Sequence, residues 1–231
     1  MSLFFSWSAC PGADSVAYHH CPDVVFLRRM DSFSRLGPPL LLAASVGCVR
    51  PQLGVACPQI QAGDLALTEL RQNQPGSYRQ WIELYNASDE PIALAGLRFQ
   101  FTRNDGVPAG SFFVRDEALE VEPGDYVVLG SDDPMRAAYL DYSYLVDWHS
   151  ASDASQPRDL PSGGLLEVTA CGRLIDRVVL RNLAAEGTMF WPGEPDAAGN
   201  DEGADWCVDD FTTSTGLGLY GTPGEANPAC P

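Results

Sequence analysis

Lysine is absent from this 231-residue chain, and all 14 of its basic residues are arginine. We read that absence as a trait of composition rather than of function. Positive charge is scarce as well: 31 acidic residues give a formal net charge of −17, and from Asp64 onward 10 arginines face 28 acids, a net of −18. A surface of that sign repels phosphate backbones and has no basic cluster with which to release counterions, so nucleic acid is excluded as an expected partner. It suits solubility, or cations.

Histidine is nearly as scarce. His149 is the only one after His20, and it lies in Trp148-His149-Ser150, which reads as part of a polar surface loop. There is no Cys-x-x-Cys spacing for zinc, no Gly-x-Ser-x-Gly elbow for a nucleophilic serine and no glycine-rich phosphate cradle. The usual means of activating water or a side chain are therefore missing. No catalytic or cofactor-binding residue is assigned, no cofactor is expected, and the chain is not expected to be an enzyme. Carboxylate pairs alone keep glycan hydrolysis open as an alternative, because two acids at a set separation suffice for it. Among 28 acids no pair stands out.

Long apolar runs are also missing. The segment Leu36 to Val46 is too short for a membrane span, which needs about 20 apolar residues, but it fits the hydrophobic region of a secretory signal. Residues 1–29, without period or turn logic, are set aside as an untranslated or disordered leader. Residues 30–47 are then a signal peptide, 48–62 a tether and 63–231 one folded domain, within the usual size of one.

What is present is strand-like. Leu65 to Leu70 and Trp81 to Tyr85 are apolar runs of strand length, and Asn86 to Pro91 has the composition of a turn. Further candidates are Leu97 to Thr102, Ser111 to Arg115, Tyr126 to Leu129, Leu165 to Thr169 and Leu174 to Leu180, each bounded by Gly, Pro, Asp or Asn. Seven short strands without an intervening helical pattern predict an all-β sandwich. Glu122-Pro123-Gly124-Asp125 predicts a type II turn, with proline and glycine at the central positions that want them. One short helical turn is expected over Asp133 to Leu140, and long polar loops over Trp148 to Gly164 and Pro192 to Asp205. Glu83 is expected to alternate outward between apolar neighbours, and Asn86 to open the following turn.

Several of these pieces, in order, resemble the bacterial lamin tail domain. They are Gly63-Asp64-Leu65-Ala66-Leu67-Thr68-Glu69-Leu70, Gln80-Trp81-Ile82-Glu83-Leu84-Tyr85-Asn86, the turn and strand at Ser88 to Leu97, Val121 to Leu129, Cys171 to Val178, and Gly221-Thr222-Pro223-Gly224-Glu225-Ala226-Asn227. The resemblance spans Gly63 to Asn227. It implies an immunoglobulin-like β-sandwich with long surface loops and without known chemistry. Ser45-Val46-Gly47-Cys48 in turn resembles a bacterial lipobox, with Ser45 where leucine is usual. It implies lipidation of Cys48, with simple signal cleavage as the alternative. By resemblance to Gram-negative lipoproteins, Val49 would allow passage to the outer membrane.

Setting aside Cys10, Cys21 and Cys48 leaves Cys57, Cys171, Cys207 and Cys230, an even set that predicts two disulfides in an exported protein. Three pairings are possible. Cys207 with Cys230 is favoured because the two flank the terminal Gly-Thr-Pro-Gly segment and would pin its end, which leaves Cys57 with Cys171. The acidic loop offers Asp196, Asn200, Asp201, Glu202 and Asp205 as candidate calcium ligands, since their oxygens are hard donors. The loop lacks EF-hand spacing, so a solvated loop without a metal is the preferred reading.

Together these features describe an exported protein of the outer membrane or cell surface, lipid-anchored through Cys48, that attaches to or displays an envelope or extracellular partner without catalysis. An accessory module for a secreted hydrolase and a cation-dependent adhesin are the alternatives.

Overall fold

The computed structural model describes residues 57–74, 79–132, 137–150, 159–180, 182–213 and 218–231. The leader, the signal segment, Cys48 and most of the tether lie outside them. Among the described residues the fold is all-β, with no helix. One sheet has the order β13 (Cys207–Asp209), β12 (Thr188–Phe190), β1 (Leu65–Arg71), β2 (Trp81–Asn86), β7 (Tyr126–Gly130), β8 (Tyr142–Ser143). A second has the order β11 (Arg173–Leu180), β10 (Gly164–Ala170), β4 (Leu97–Thr102), β5 (Pro108–Phe113), β9 (His149–Ser150). A short pair joins β3 (Ile92–Ala93) to β6 (Glu120–Val121).

The two large sheets share one apolar core, the arrangement of a β-sandwich. Leu67, Ile82 and Leu84 from the first sheet are clustered with Phe99, Phe112 and Val168 from the second. The second sheet alternates as a half-covered sheet should: β4 and β10 switch between buried and half-buried at every residue. The first does not. Every residue of β1 is buried, and all but Tyr85 of β2, so these central strands are covered on both faces.

That double cover corrects the expectation for Glu83, which is fully buried rather than turned to solvent. Alternation shows which face a side chain takes, but not whether later chain segments cover that face. Asn86 does organise the turn, as expected: its Nδ2 donates to the Glu90 and Val121 carbonyls, and its Oδ1 accepts from the Ser88 N–H. Gly124 has φ +79° and the Asp125 N–H closes onto the Glu122 carbonyl, as a type II turn requires. The expected helical turn is corrected in part. Residues 133–136 lie outside the described set, and 137–140 form a turn closed from Leu140 N–H to the Ala137 carbonyl. Within the expected loop over Trp148 to Gly164, His149 is exposed and pairs with Ser111 as an edge strand.

A bulge in β1 between Leu67 and Glu69 decides how the two sheets are tied. β12 covers only the Glu69 and Leu70 stretch of β1, so Leu67 has spare backbone groups. Its N–H donates to Asp176 Oδ2 of β11 at 2.6 Å, and its carbonyl accepts from Asn200 Nδ2 at 2.8 Å. Asn200 Nδ2 also reaches Asp176 Oδ2 at 2.9 Å, so three elements meet at one carboxylate.

Cys57 and Cys171 are bridged, as are Cys207 and Cys230, with Cα atoms 5.7 Å apart in each pair. Their sequence separations are 114 and 23. In the chain-entropy model, closing the longer loop stabilises by about 5 kcal/mol and the shorter by about 3.5 kcal/mol. Nonreducing peptide mapping should recover these two pairs. Replacing both cysteines of Cys57–Cys171 should lower the unfolding free energy more than replacing both of Cys207–Cys230.

Candidate functional site

Glu69 on β1 and Glu83 on β2 stand directly opposite each other across the strand pair, and both are fully buried. A carboxylate inside a sheet costs several kcal/mol unless its oxygens are hydrogen-bonded. Each obtains one backbone partner from the carboxy-terminal strap over 219–227 and one side-chain partner from β1 or β2. Glu69 Oε1 accepts from the Thr222 N–H at 2.7 Å, and its Oε2 accepts from Trp81 Nε1 at 2.7 Å. Glu83 Oε2 accepts from the Gly224 N–H at 2.7 Å, and its Oε1 lies 2.7 Å from Thr68 Oγ1.

The strap completes the arrangement with its own side chains. Asn227 Nδ2 donates to the Thr68 carbonyl, which also accepts from the Trp191 N–H at 2.8 Å, and Asn227 Oδ1 accepts from Thr222 Oγ1, both Asn227 bonds at 2.9 Å. Upstream, the Gly221 N–H donates to the Thr212 carbonyl, and Thr188 Oγ1 donates to the Tyr220 carbonyl. Gly221 is required by its place. It has φ +126°, and a Cβ there would sit 2.8 Å from the Trp81 ring and 3.0 Å from Glu69 Oε1. Arg71, also buried, lies over the Trp81 ring and donates to the Gly187 carbonyl at 3.1 Å.

Burial pushes the Glu69 carboxyl up to about 7, against the lowering effect of its donors, and pushes Glu83 well above the usual carboxylate range, with the neighbouring Glu69 charge adding to the effect. Asp176, the inter-sheet tie, is likewise raised to about 7 by burial. The arrangement can bind protons and hold a backbone segment. Among the described residues, no group of three or more His, Cys, Asp or Glu side chains is placed to hold a metal ion.

The five loop residues singled out in the sequence have separate places. Asp196, Glu202 and Asp205 are exposed; the Asp196 carboxylate accepts from the Ala198 N–H, and Asp201 pairs with Arg177 at 3.5 Å. Asn200 departs from the solvated-loop reading: it is fully buried, and its carbonyl accepts from Trp206 Nε1 at 2.9 Å. Much of the loop is a plug on β11, joined to Val179 through Asp201, Glu202 and Gly203. Cys48 lies outside the described residues.

In comparisons with known proteins, no family model, no curated protein and no solved structure matches the chain.

Sequence reasoning passed over Glu69, Asp176 and the strap partners. The signal was an acid in mid-run on each of two neighbouring apolar strands, together with a terminal Gly-Thr-Pro-Gly-Glu-Ala-Asn rich in backbone donors and small residues. Two outcomes follow. Glu69→Gln sets an amide NH2 against either Trp81 Nε1–H or Thr222 N–H, neither of which can accept, and should cost about 2 kcal/mol in urea unfolding above pH 7. Because Glu69 and Asp176 hold protons in the fold that the unfolded chain has already lost, wild-type stability should fall as pH rises from about 4.5 towards 7, as followed by thermal unfolding.

Proposed function

We propose that this is an exported surface protein, anchored by lipid at Cys48, whose domain is an immunoglobulin-like sandwich of the lamin tail type and acts in non-catalytic attachment or display. The observation that carries this reading is the pair of bridges. Cys57–Cys171 closes the start of the domain and Cys207–Cys230 its end, the usage of a protein that folds in an oxidising compartment. The leader logic, with an apolar segment at Leu36 to Val46 followed by Gly47-Cys48, agrees with that compartment.

Two of the segments that carry the lamin-tail resemblance, far apart in sequence, are in contact, which is compatible with that reading. Glu83 of Gln80-Trp81-Ile82-Glu83-Leu84-Tyr85-Asn86 binds the backbone of Gly221-Thr222-Pro223-Gly224-Glu225-Ala226-Asn227. The clustered polar groups are spent on internal hydrogen bonds, which favours a scaffold over a reaction centre. Partner contact then falls to the strongly acidic surface, which suits a basic or cation-bridged envelope component over a phosphate backbone.

Mass spectrometry of the protein recovered from the membrane fraction of a bacterial host tests the anchor. The expected mature terminus is Cys48 carrying acyl chains, with residues 1–47 absent. Recovery of unmodified peptides from residues 30–47 in exported protein would remove the anchor from the account.

A further inference from the structure

The two buried glutamates are not equivalent, and the difference lies in their donors. Glu69 faces a tryptophan Nε1–H at one oxygen and a backbone N–H at the other, groups that donate and cannot accept, each at 2.7 Å, while the Thr222 hydroxyl, bonded to Asn227, is farther off at 3.4 Å. These donors suit the ionised form, so Glu69 is the first of the pair to give up its proton as pH rises, and the buried Arg71 guanidinium on the same strand supplies a nearby positive charge. Glu83 meets one obligate donor, the Gly224 N–H at Oε2, but its Oε1 faces the Thr68 hydroxyl at 2.7 Å. A hydroxyl can turn round and accept. Glu83 can therefore carry a proton on Oε1, give it to Thr68 Oγ1, and still accept from the strap at Oε2.

From this geometry we propose that the carboxy-terminal strap is a proton-gated latch: it closes over Glu83 in the protonated form, and ionisation of Glu83 opens the segment over Thr222 to Asn227. The other groups around the pair set the balance. Arg71 of β1 is positive, while Glu69 of β1, Asp209 of β13 and Asp141 after the 137–140 turn are acidic. Burial raises Tyr126 of β7 and Tyr139 of that turn to about 12, so both stay neutral across the working range; Glu225 is the strap's own exposed acid. Among the described residues, one buried arginine stands against these acids, so a second carboxylate at the strand pair is poorly compensated. A second ionisation is relieved most directly by admitting water, and the strap residue bonded to Glu83, Gly224, is itself exposed.

Opening does not unfold the sandwich. Cys207–Cys230 keeps the end of the strap beside β13, so the segment lifts as a tethered flap, releasing the bonds that Thr222, Gly224 and Asn227 make to Glu69, Glu83 and the Thr68 carbonyl. Protons and closure are linked with a definite sign. Closure is strongest where Glu83 is protonated, and it weakens as pH rises, by one proton released per opening.

Hydrogen exchange of wild-type protein from about pH 5 to about pH 9, expressed as protection relative to intrinsic rates, reads the latch directly. Protection at the Thr222 and Gly224 amides should fall about tenfold per pH unit above the ordinary carboxylate range, for as long as Glu83 holds its proton when closed and loses it when open, while amides of β10 keep theirs. Infrared spectra should show the carbonyl stretch of a protonated carboxylic acid at the low end of that range and lose it in step with the protection. Glu83→Gln, which offers an amide N–H to Thr68 and a carbonyl oxygen to Gly224, should hold the strap closed with no pH slope. Uniform protection of the two amides across the range, or no protonated-acid band in wild-type protein, would overturn the proposal, and these two readings stand even if the variant does not fold.

Discussion

The described structure depends on two carboxylates that water cannot reach. Glu69 and Glu83 sit opposite each other on the central strands of one sheet, where neither could remain without partners. Backbone N–H groups from the far end of the chain supply them. This exchange fixes much else: Gly221 must lack a side chain to pass Trp81, the Thr222 and Gly224 N–H groups must face inward, and Asn227 reaches the Thr68 carbonyl at the β1 bulge. The chain closes over its own middle because two acids there need donors.

The same logic recurs at the inter-sheet tie. The bulge that aligns Glu69 with Glu83 also frees both backbone groups of Leu67, which then find Asp176 from β11 and Asn200 from the acidic loop. A buried acid again recruits distant chain, and a segment that looks like solvated surface becomes part of the packing. The two disulfides act at the margins of this scheme, one holding the first described residue to the β10–β11 turn and the other holding the strap's end to β13. An acid-rich protein without lysine thus uses buried carboxylates as internal acceptors while the rest of its negative charge stays outside.

Much of the strand content was legible in the sequence, because β4, β10 and most of β11 alternate against a single core, β7 is a short apolar run, and all four are bounded by Gly, Pro, Asp or Asn. Leu97 to Thr102 coincides with β4 as expected. The turn at Pro123-Gly124 was legible for a similar reason, since it depends on two adjacent residues. Glu83 was not, because its exposure is decided by a strap some 140 residues later. Nor was Asn200, whose partners Leu67 and Asp176 come from two different sheets. Short edge strands such as β8, β9 and β13 left no trace either, since two or three residues carry no period. Composition and local chemistry reveal which segments extend; they do not reveal which segment will cover a given face.

The claim that two buried glutamates hold the strap through its backbone is open to one direct measurement. Scalar couplings across hydrogen bonds, detected by NMR in protein labelled at backbone nitrogen and at the glutamate carboxyl carbons, would report each contact separately. The account predicts couplings from Thr222 N–H to the Glu69 carboxyl and from Gly224 N–H to the Glu83 carboxyl at low pH, where the strap is closed. The absence of both, with those two amides exchanging as fast as exposed loop amides under the same conditions, would contradict it.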